Sequence, residues 1–171
     1  MLRDLIVGPH QISFDITNKC NLRCLHCYNS SGENLASQNE LTDQEVLDFI
    51  DEFKSIKLLN FCFCGGEPLL RKELIVEAAK RLRTYGCENV AMVSNGILMT
   101  DEVIEELINA GVTRIQISLD GIKAESHDRI RNKKGVYEKA TRAIEALVKH
   151  GVDTAVAFTP TSFNISELRA V

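Results

Sequence analysis

The sequence has no long hydrophobic run. Nothing in it approaches the roughly 18 consecutive apolar residues of a membrane span, which excludes a transmembrane helix. It has no excess of basic residues either. Lys and Arg number 20 against 24 Asp and Glu, a net charge of −4, so general electrostatic capture of nucleic acid finds no support. Residues 1–10 (MLRDLIVGPH) lack a basic segment followed by an apolar stretch, so no leader is read there and the expected location is cytoplasmic. The compositional bias of a disordered chain is also missing. At 44% hydrophobic and 26% charged, the 171 residues suffice for one domain with a real core. In a reducing compartment the six cysteines read as metal or redox ligands rather than disulfides.

Residues 11–16 (QISFDI) alternate apolar and polar, as a strand does. Thr42 and Glu45 have capping-box spacing and open a helix whose apolar face is Val46, Ile50 and Phe53. Residues 58–64 (LLNFCFC) read as a buried strand. Residues 72–85 read as a helix with Leu74, Ile75, Ala78 and Leu82 on one side and Gly86 just past its end. A strand at 89–93, a helix at 100–110 closed by Gly111 and a strand at 113–119 follow. A helix at 136–150 closed by Gly151 and a strand at 153–158 complete the series. Strands alternating with helices predict an α/β fold with parallel strands, either a doubly wound sheet or a βα barrel.

In both architectures a ligand sits at the C-terminal ends of the strands. The sequence places five polar motifs there: Thr17-Asn18-Lys19-Cys20, Gly65-Gly66-Glu67-Pro68, Ser94-Asn95-Gly96, Ser118-Leu119-Asp120-Gly121 and Thr159-Pro160-Thr161. Together on one rim they predict a ligand larger than a metal ion. Five strands do not close a barrel. The chain stops at Val171 within what reads as the start of another helix, Ser166-Glu167-Leu168-Arg169, and an exposed last strand edge is an aggregation hazard. The expectation for residues 1–171 is therefore a parallel (β/α) partial TIM barrel truncated after its fifth strand, a fragment of a larger domain.

Cys20, Cys24 and Cys27 have the spacing C-x3-C-x2-C. Three thiolates in one loop can hold an iron–sulfur cluster or zinc. With a cubane, three cysteines leave one iron without a protein ligand, open to chemistry. Zinc would recruit His26 as a fourth ligand, although fourth ligands normally come from a separate segment. A thioredoxin-like reading of Cys24 and Cys27 leaves Cys20 unexplained.

The segment Cys20–Tyr28 (CNLRCLHCY) resembles the signature of the radical S-adenosylmethionine (SAM) enzymes, with His26 at the aromatic position. The motifs GGEP (65–68), SNG (94–96) and SLDG (118–121), and the HDxxR segment at 127–131, follow in that family's order, so the resemblance covers essentially the whole chain. It implies that Cys20, Cys24 and Cys27 hold a 4Fe–4S cluster whose open iron is chelated by SAM. It further implies that Gly65 and Gly66 let the backbone approach the methionine part of SAM, with Glu67 organising the turn. Ser94 and Ser118 are implied as ribose or carboxylate contacts. Asn95 and Asp120, in the same strand-end motifs, and Glu67 are implied as cofactor-binding residues with them. Arg131 is implied as a partner of the SAM carboxylate, and Tyr28 as a neighbour of the adenine. The implied reaction is reductive cleavage of SAM to a 5′-deoxyadenosyl radical that abstracts hydrogen from a substrate.

The combination of GGEP, SLDG and HDxxR is most similar to the SPASM-type branch that modifies peptides and proteins, which implies a peptide or protein substrate. It also implies a reductant such as flavodoxin or ferredoxin. The alternatives are a molybdenum-cofactor-type cyclase and a non-catalytic iron–sulfur or zinc module. Asn132 stands where the family often has glycine. Cys62 and Cys64, two apart on one strand, read either as small buried residues or as ligands of a second cluster or a substrate thiol near the site. Cys87 reads as packing, and His10, His127 and His150 as structural or surface.

Overall fold

The computed structural model describes residues 8–32, 39–56 and 58–170. The first seven residues, where no leader was read, lie outside the described residues. Five strands, β1 (Gln11–Thr17), β2 (Asn60–Gly65), β3 (Asn89–Ser94), β4 (Arg114–Ser118) and β5 (Asp153–Ala157), form one sheet in that sequential order. Every pairing is parallel. Sequential order settles the choice between architectures, because a doubly wound sheet reverses direction at a switch point and a barrel does not. The fold is the barrel type.

The connecting helices are α1 (Asp43–Asp51), α2 (Lys72–Thr84), α3 (Asp101–Ala110), α4 (Ala124–Arg131) and α5 (Val136–Lys149). The capping box at the start of α1 is formed, with Thr42 accepting from the Glu45 N–H and Glu45 accepting from the Thr42 N–H. Gly111 closes α3 at φ 96°, a left-handed position that a Cβ disfavours. Phe61, Phe63, Met92, Ile115 and Ile117 point to the helix-covered face, where they meet Ile50, Ile75, Leu82, Ile104, Leu107 and Leu147. Five phenylalanines thread this layer beneath α1, with Phe14 stacked on Phe49 and Phe61 against Phe63. Each such buried side chain stabilises the fold by roughly 1.5–3 kcal/mol.

Three expectations need correction. Strand β2 is buried on one face only. Phe61 and Phe63 are covered, whereas Cys62 and Cys64 are half-buried on the face without helices, with their sulfurs 3.4 Å apart. The thiol of Cys64 donates to the sulfur of Cys62. That bond pulls Cys62 below the ordinary thiol range and pushes Cys64 above it. Second, the segment around Ser166 forms a single 3-10 turn, Ile165–Glu167, and not an α-helix. Third, α4 was not foreseen as a helix, because its sequence AESHDRIR has only two apolar residues, Ala124 and Ile130, and no apolar period. It buries a polar face instead: Ser126, His127 and Arg131 beside Ile130. Cys87 is buried packing, as expected. No helix among the described residues is long and apolar enough to cross a membrane.

Candidate functional site

The parallel sheet brings its strand ends to one rim, and the loop after β1 folds over that rim. Gly66 and Glu67 donate their N–H groups to the carbonyls of Thr17 and Lys19, both at 2.8 Å. This clamps the exit of β2 onto the root of the cysteine loop. A Cβ on Gly65 would collide with the Thr17 carbonyl oxygen, and one on Gly66 with that of Lys19. The two glycines are thus demanded by the chain's own close approach. Glu40, which sequence reasoning passed over, secures the same root by accepting from the Thr17 hydroxyl and the Asn18 N–H.

Glu67 is fully buried and wires β2 to β3. Its carboxylate accepts from the Leu69 N–H, the Ser94 hydroxyl at 2.9 Å and the Asn95 N–H at 2.9 Å. Burial pushes its carboxyl up, against the pull of those bonds. Ser94, buried beside it, also accepts from the Gly96 N–H, so its hydroxyl is engaged inside the turn. Asn95 donates from its side chain to Asn21 in the cysteine loop at 2.7 Å. The turn organisation expected of Glu67 is present, and it reaches the next strand as well.

Asp120, at the end of β4, is a second hub. Its carboxylate faces His26 Nε2 at 2.8 Å, Arg131 at 2.7 Å and the Thr159 N–H at 2.9 Å. Burial alone would raise its pKa, but the His26 bond, the Arg131 charge and the Thr159 N–H hold it below the usual carboxylate range. The Asp120 N–H donates to His127 Nδ1. Burial and the nearby Arg131 push His127 down to about 4, so it is neutral at physiological pH and free to accept. Asn164, fully buried, donates to the carbonyls of Asp120 and Thr159. His26, His127 and Asn164 had no partner legible in the sequence. Of the three, His127 proves structural and not superficial. His150, also without a visible partner, pairs with Asp101 across α5 and α3.

Arg131 is 8% exposed. One terminal nitrogen is on Asp120, the other lies 3.7 Å from the sulfur of Cys24, and its buried Nε has no hydrogen-bond partner. Sulfur acceptors recur in the loop: Leu22 N–H donates to Cys20 and Ser31 N–H to Cys27, both at 3.4 Å. Each of the three thiols therefore has a donor aimed at it, the arrangement that orients and stabilises sulfur ligands of a metal.

The three cysteines, Gly65, Gly66, Ser94, Asn95, Ser118 and Arg131 line one cavity of about 490 Å³, together with Tyr28 and Cys64. That is within the ~300–1,000 Å³ usual for small-molecule sites. Glu67 and Asp120 stand behind its wall. Tyr28 is 91% exposed at its edge, so its ring face is left uncovered by protein. Among the described residues no three His, Cys, Asp or Glu side chains converge tightly enough for a single metal ion. Three thiols in one loop suit a multi-iron cluster that takes one cysteine per iron. The donor set, its N–H···S bonds and the adjoining cavity fit a 4Fe–4S cluster with SAM beside it.

A sequence profile described as the Radical SAM superfamily matches residues 14–170. The chain is similar to the AdoMet-dependent heme synthase of Methanosarcina barkeri, with 36% identity over 94% of this chain and 45% of that protein. It is also similar to the mycofactocin maturase MftC of Mycolicibacterium smegmatis, at 34% identity over 94% of this chain and 40% of that one. Streptococcus suis SuiB bound to its precursor peptide SuiA shares the fold, at a TM-score of 0.74 and 16% identity, over 96% of this chain and 37% of SuiB. The chain spans less than half the length of these relatives.

Proposed function

The chain belongs to the radical SAM superfamily, whose cofactors are a 4Fe–4S cluster and SAM, and from that premise we propose that it is the cofactor-binding part of an enzyme that modifies a peptide or protein. The observation that carries the reading is the single cavity that joins three donor-supported thiols to the glycine and serine ends of β2, β3 and β4. When bound, the cluster and SAM supply a 5′-deoxyadenosyl radical that takes a hydrogen atom from the substrate.

The chain's own residues bind, orient and shield. Cys20, Cys24 and Cys27 hold the cluster. The Gly65-Gly66 backbone, fixed against Thr17 and Lys19, receives the amino-acid end of SAM. Ser118 presents a hydroxyl with no hydrogen bond among the described residues, which suits it to a SAM oxygen. Ser94 and Asn95 shape the wall more than they reach into it, because Glu67 and Asn21 engage them. Asp120 keeps Arg131 beside Cys24, and Arg131 contributes its remaining N–H capacity toward a carboxylate. Tyr28 closes over the open edge. Asp120 supports Arg131 and His26 from behind the cavity wall, as Glu67 supports Ser94 and Asn95.

The peptide reading draws on the likeness to a maturase, at 34% identity. A tetrapyrrole is the second reading, favoured by the 36% identity to a heme synthase and 32% to an Fe-coproporphyrin III synthase. The test is anaerobic reconstitution with iron and sulfide, then dithionite and SAM, with 5′-deoxyadenosine as the readout. Product that disappears in Cys24→Ala supports radical chemistry at this site, and its absence from the parent protein sinks it. Mass change of a ribosomal peptide, against conversion of iron coproporphyrin, separates the two substrate readings.

A further inference from the structure

The cysteine loop has a second face, outside the rim cavity, and it carries a concentration of positive charge. A hollow of about 750 Å³ lies between Leu25 and the C-terminal end of α4, lined by Arg129, Asn132, Lys133 and Lys134. It continues through Asn132 and Lys133 into a smaller hollow of about 360 Å³ that reaches Arg23 and Cys20 itself. Arg23, Arg129, Lys133 and Lys134 are all exposed, on a chain whose net charge is −4. Of the two carboxylates nearby, Asp128 is turned away and accepts from the N–H groups of Gly135, Val136 and Tyr137 at the start of α5. That leaves Glu125 as the one acidic side chain of the hollow facing a partner.

These charges are fixed to the cysteines. Leu25 donates its N–H to the Ile130 carbonyl at 2.8 Å, which pins α4 to the loop. The Arg23 guanidinium donates to the carbonyls of Cys20 and Leu22, and Lys133 reaches the Asn21 carbonyl. Leu25 follows Cys24 directly and is 59% exposed in the middle of the basic ring, an apolar contact surrounded by cations.

Resting on the function proposed above, we propose that this face is the docking surface for a small acidic one-electron carrier protein of the flavodoxin or ferredoxin kind. The reaction needs an electron from outside the chain. Electrostatic steering raises association rates by about 10–10³-fold, and it does so where the charge lies beside the redox centre. Cys20 lines the hollow, so a carrier seated there is separated from the cluster by little more than the ligand. In the transfer, the carrier loses one electron and the cluster gains it, and no bond or proton moves.

The test is anaerobic stopped-flow bleaching of the cluster-loaded protein by reduced flavodoxin, compared with dithionite. Arg129→Glu with Lys134→Glu is expected to slow bleaching by flavodoxin about 10-fold or more at low salt, with parent and variant converging at about 0.5 M, where the Debye length falls below ~5 Å. Dithionite-driven formation of 5′-deoxyadenosine should be unchanged, and Lys80→Glu with Lys149→Glu, at the C-terminal ends of α2 and α5, should match the parent. Equal flavodoxin rates in parent and charge-reversed protein overturn the proposal. So does binding of RNA or anionic vesicles that is lost in the variant while flavodoxin reduction is not. If the parent bleaches but never cleaves SAM, the proposed function fails while the docking measurement still reads.

Discussion

The helix-covered face of the sheet and its C-terminal rim meet burial with opposite chemistry. On the covered face, Phe61, Phe63, Met92, Ile115 and Ile117 are fully buried and gain from contact with any apolar neighbour of suitable shape. At the rim, Glu67, Asp120 and Asn164 are buried as completely, yet each is held by named partners at fixed positions. An apolar layer tolerates conservative exchange. A buried polar hub does not, because every lost partner strands another group. The rim therefore uses much of its polar chemistry on itself, and the groups left over face the cavity.

The largest expected difference comes from Asp120→Asn. The change is nearly isosteric, but it leaves the Arg131 guanidinium buried without its countercharge. A loss of about 3–5 kcal/mol is expected in urea denaturation, with lower iron content after reconstitution. A loss under about 1 kcal/mol would dissolve the contrast between the two regions. Next is the pH dependence of His127. Its native pKa of about 4 lies below the unfolded value near 6.5, so the unfolded chain binds the extra proton. Stability is then full above pH ~6.5 and falls as pH drops toward 4, by up to about 3 kcal/mol. His127→Gln should flatten that part of the profile, and an unchanged slope would assign it to other groups. On the covered face, Met92→Leu should cost less than about 1.5 kcal/mol and leave SAM cleavage intact at moderate temperature. The smallest effect belongs to Thr42→Ala, which removes the α1 cap outside the cavity lining. About 1 kcal/mol is expected by thermal melting, with no change in iron content.

The same division explains what the sequence made legible. The covered face announced itself through period, since Leu74, Ile75, Ala78 and Leu82 repeat as a helix requires and Thr42 with Glu45 marks a start. The cysteine triad and the GGEP turn were visible as local spacing. The Asp120 hub was not, because His26 and Asp120 are 94 residues apart and meet only when β4 lies under the first loop. Helix α4 escaped because its buried face is polar, and hydrophobic period is blind to that. The one-sided burial of β2 escaped for a related reason. A run such as LLNFCFC looks uniformly apolar, while only the presence or absence of helices decides which alternate residues are covered.

The hub has a consequence for how the protein is made. Cys20, Cys24 and Cys27 leave the ribosome early, but the loop that carries them is braced by Asp120, Arg131, Thr159 and Asn164. At ~5–20 residues per second, the braces follow the last cysteine by on the order of ten seconds. During that interval the thiols are present without their geometry, exposed to adventitious metal and oxygen. Iron delivered before the chain reaches Asn164 finds loose ligands, and iron delivered afterwards finds a finished cradle.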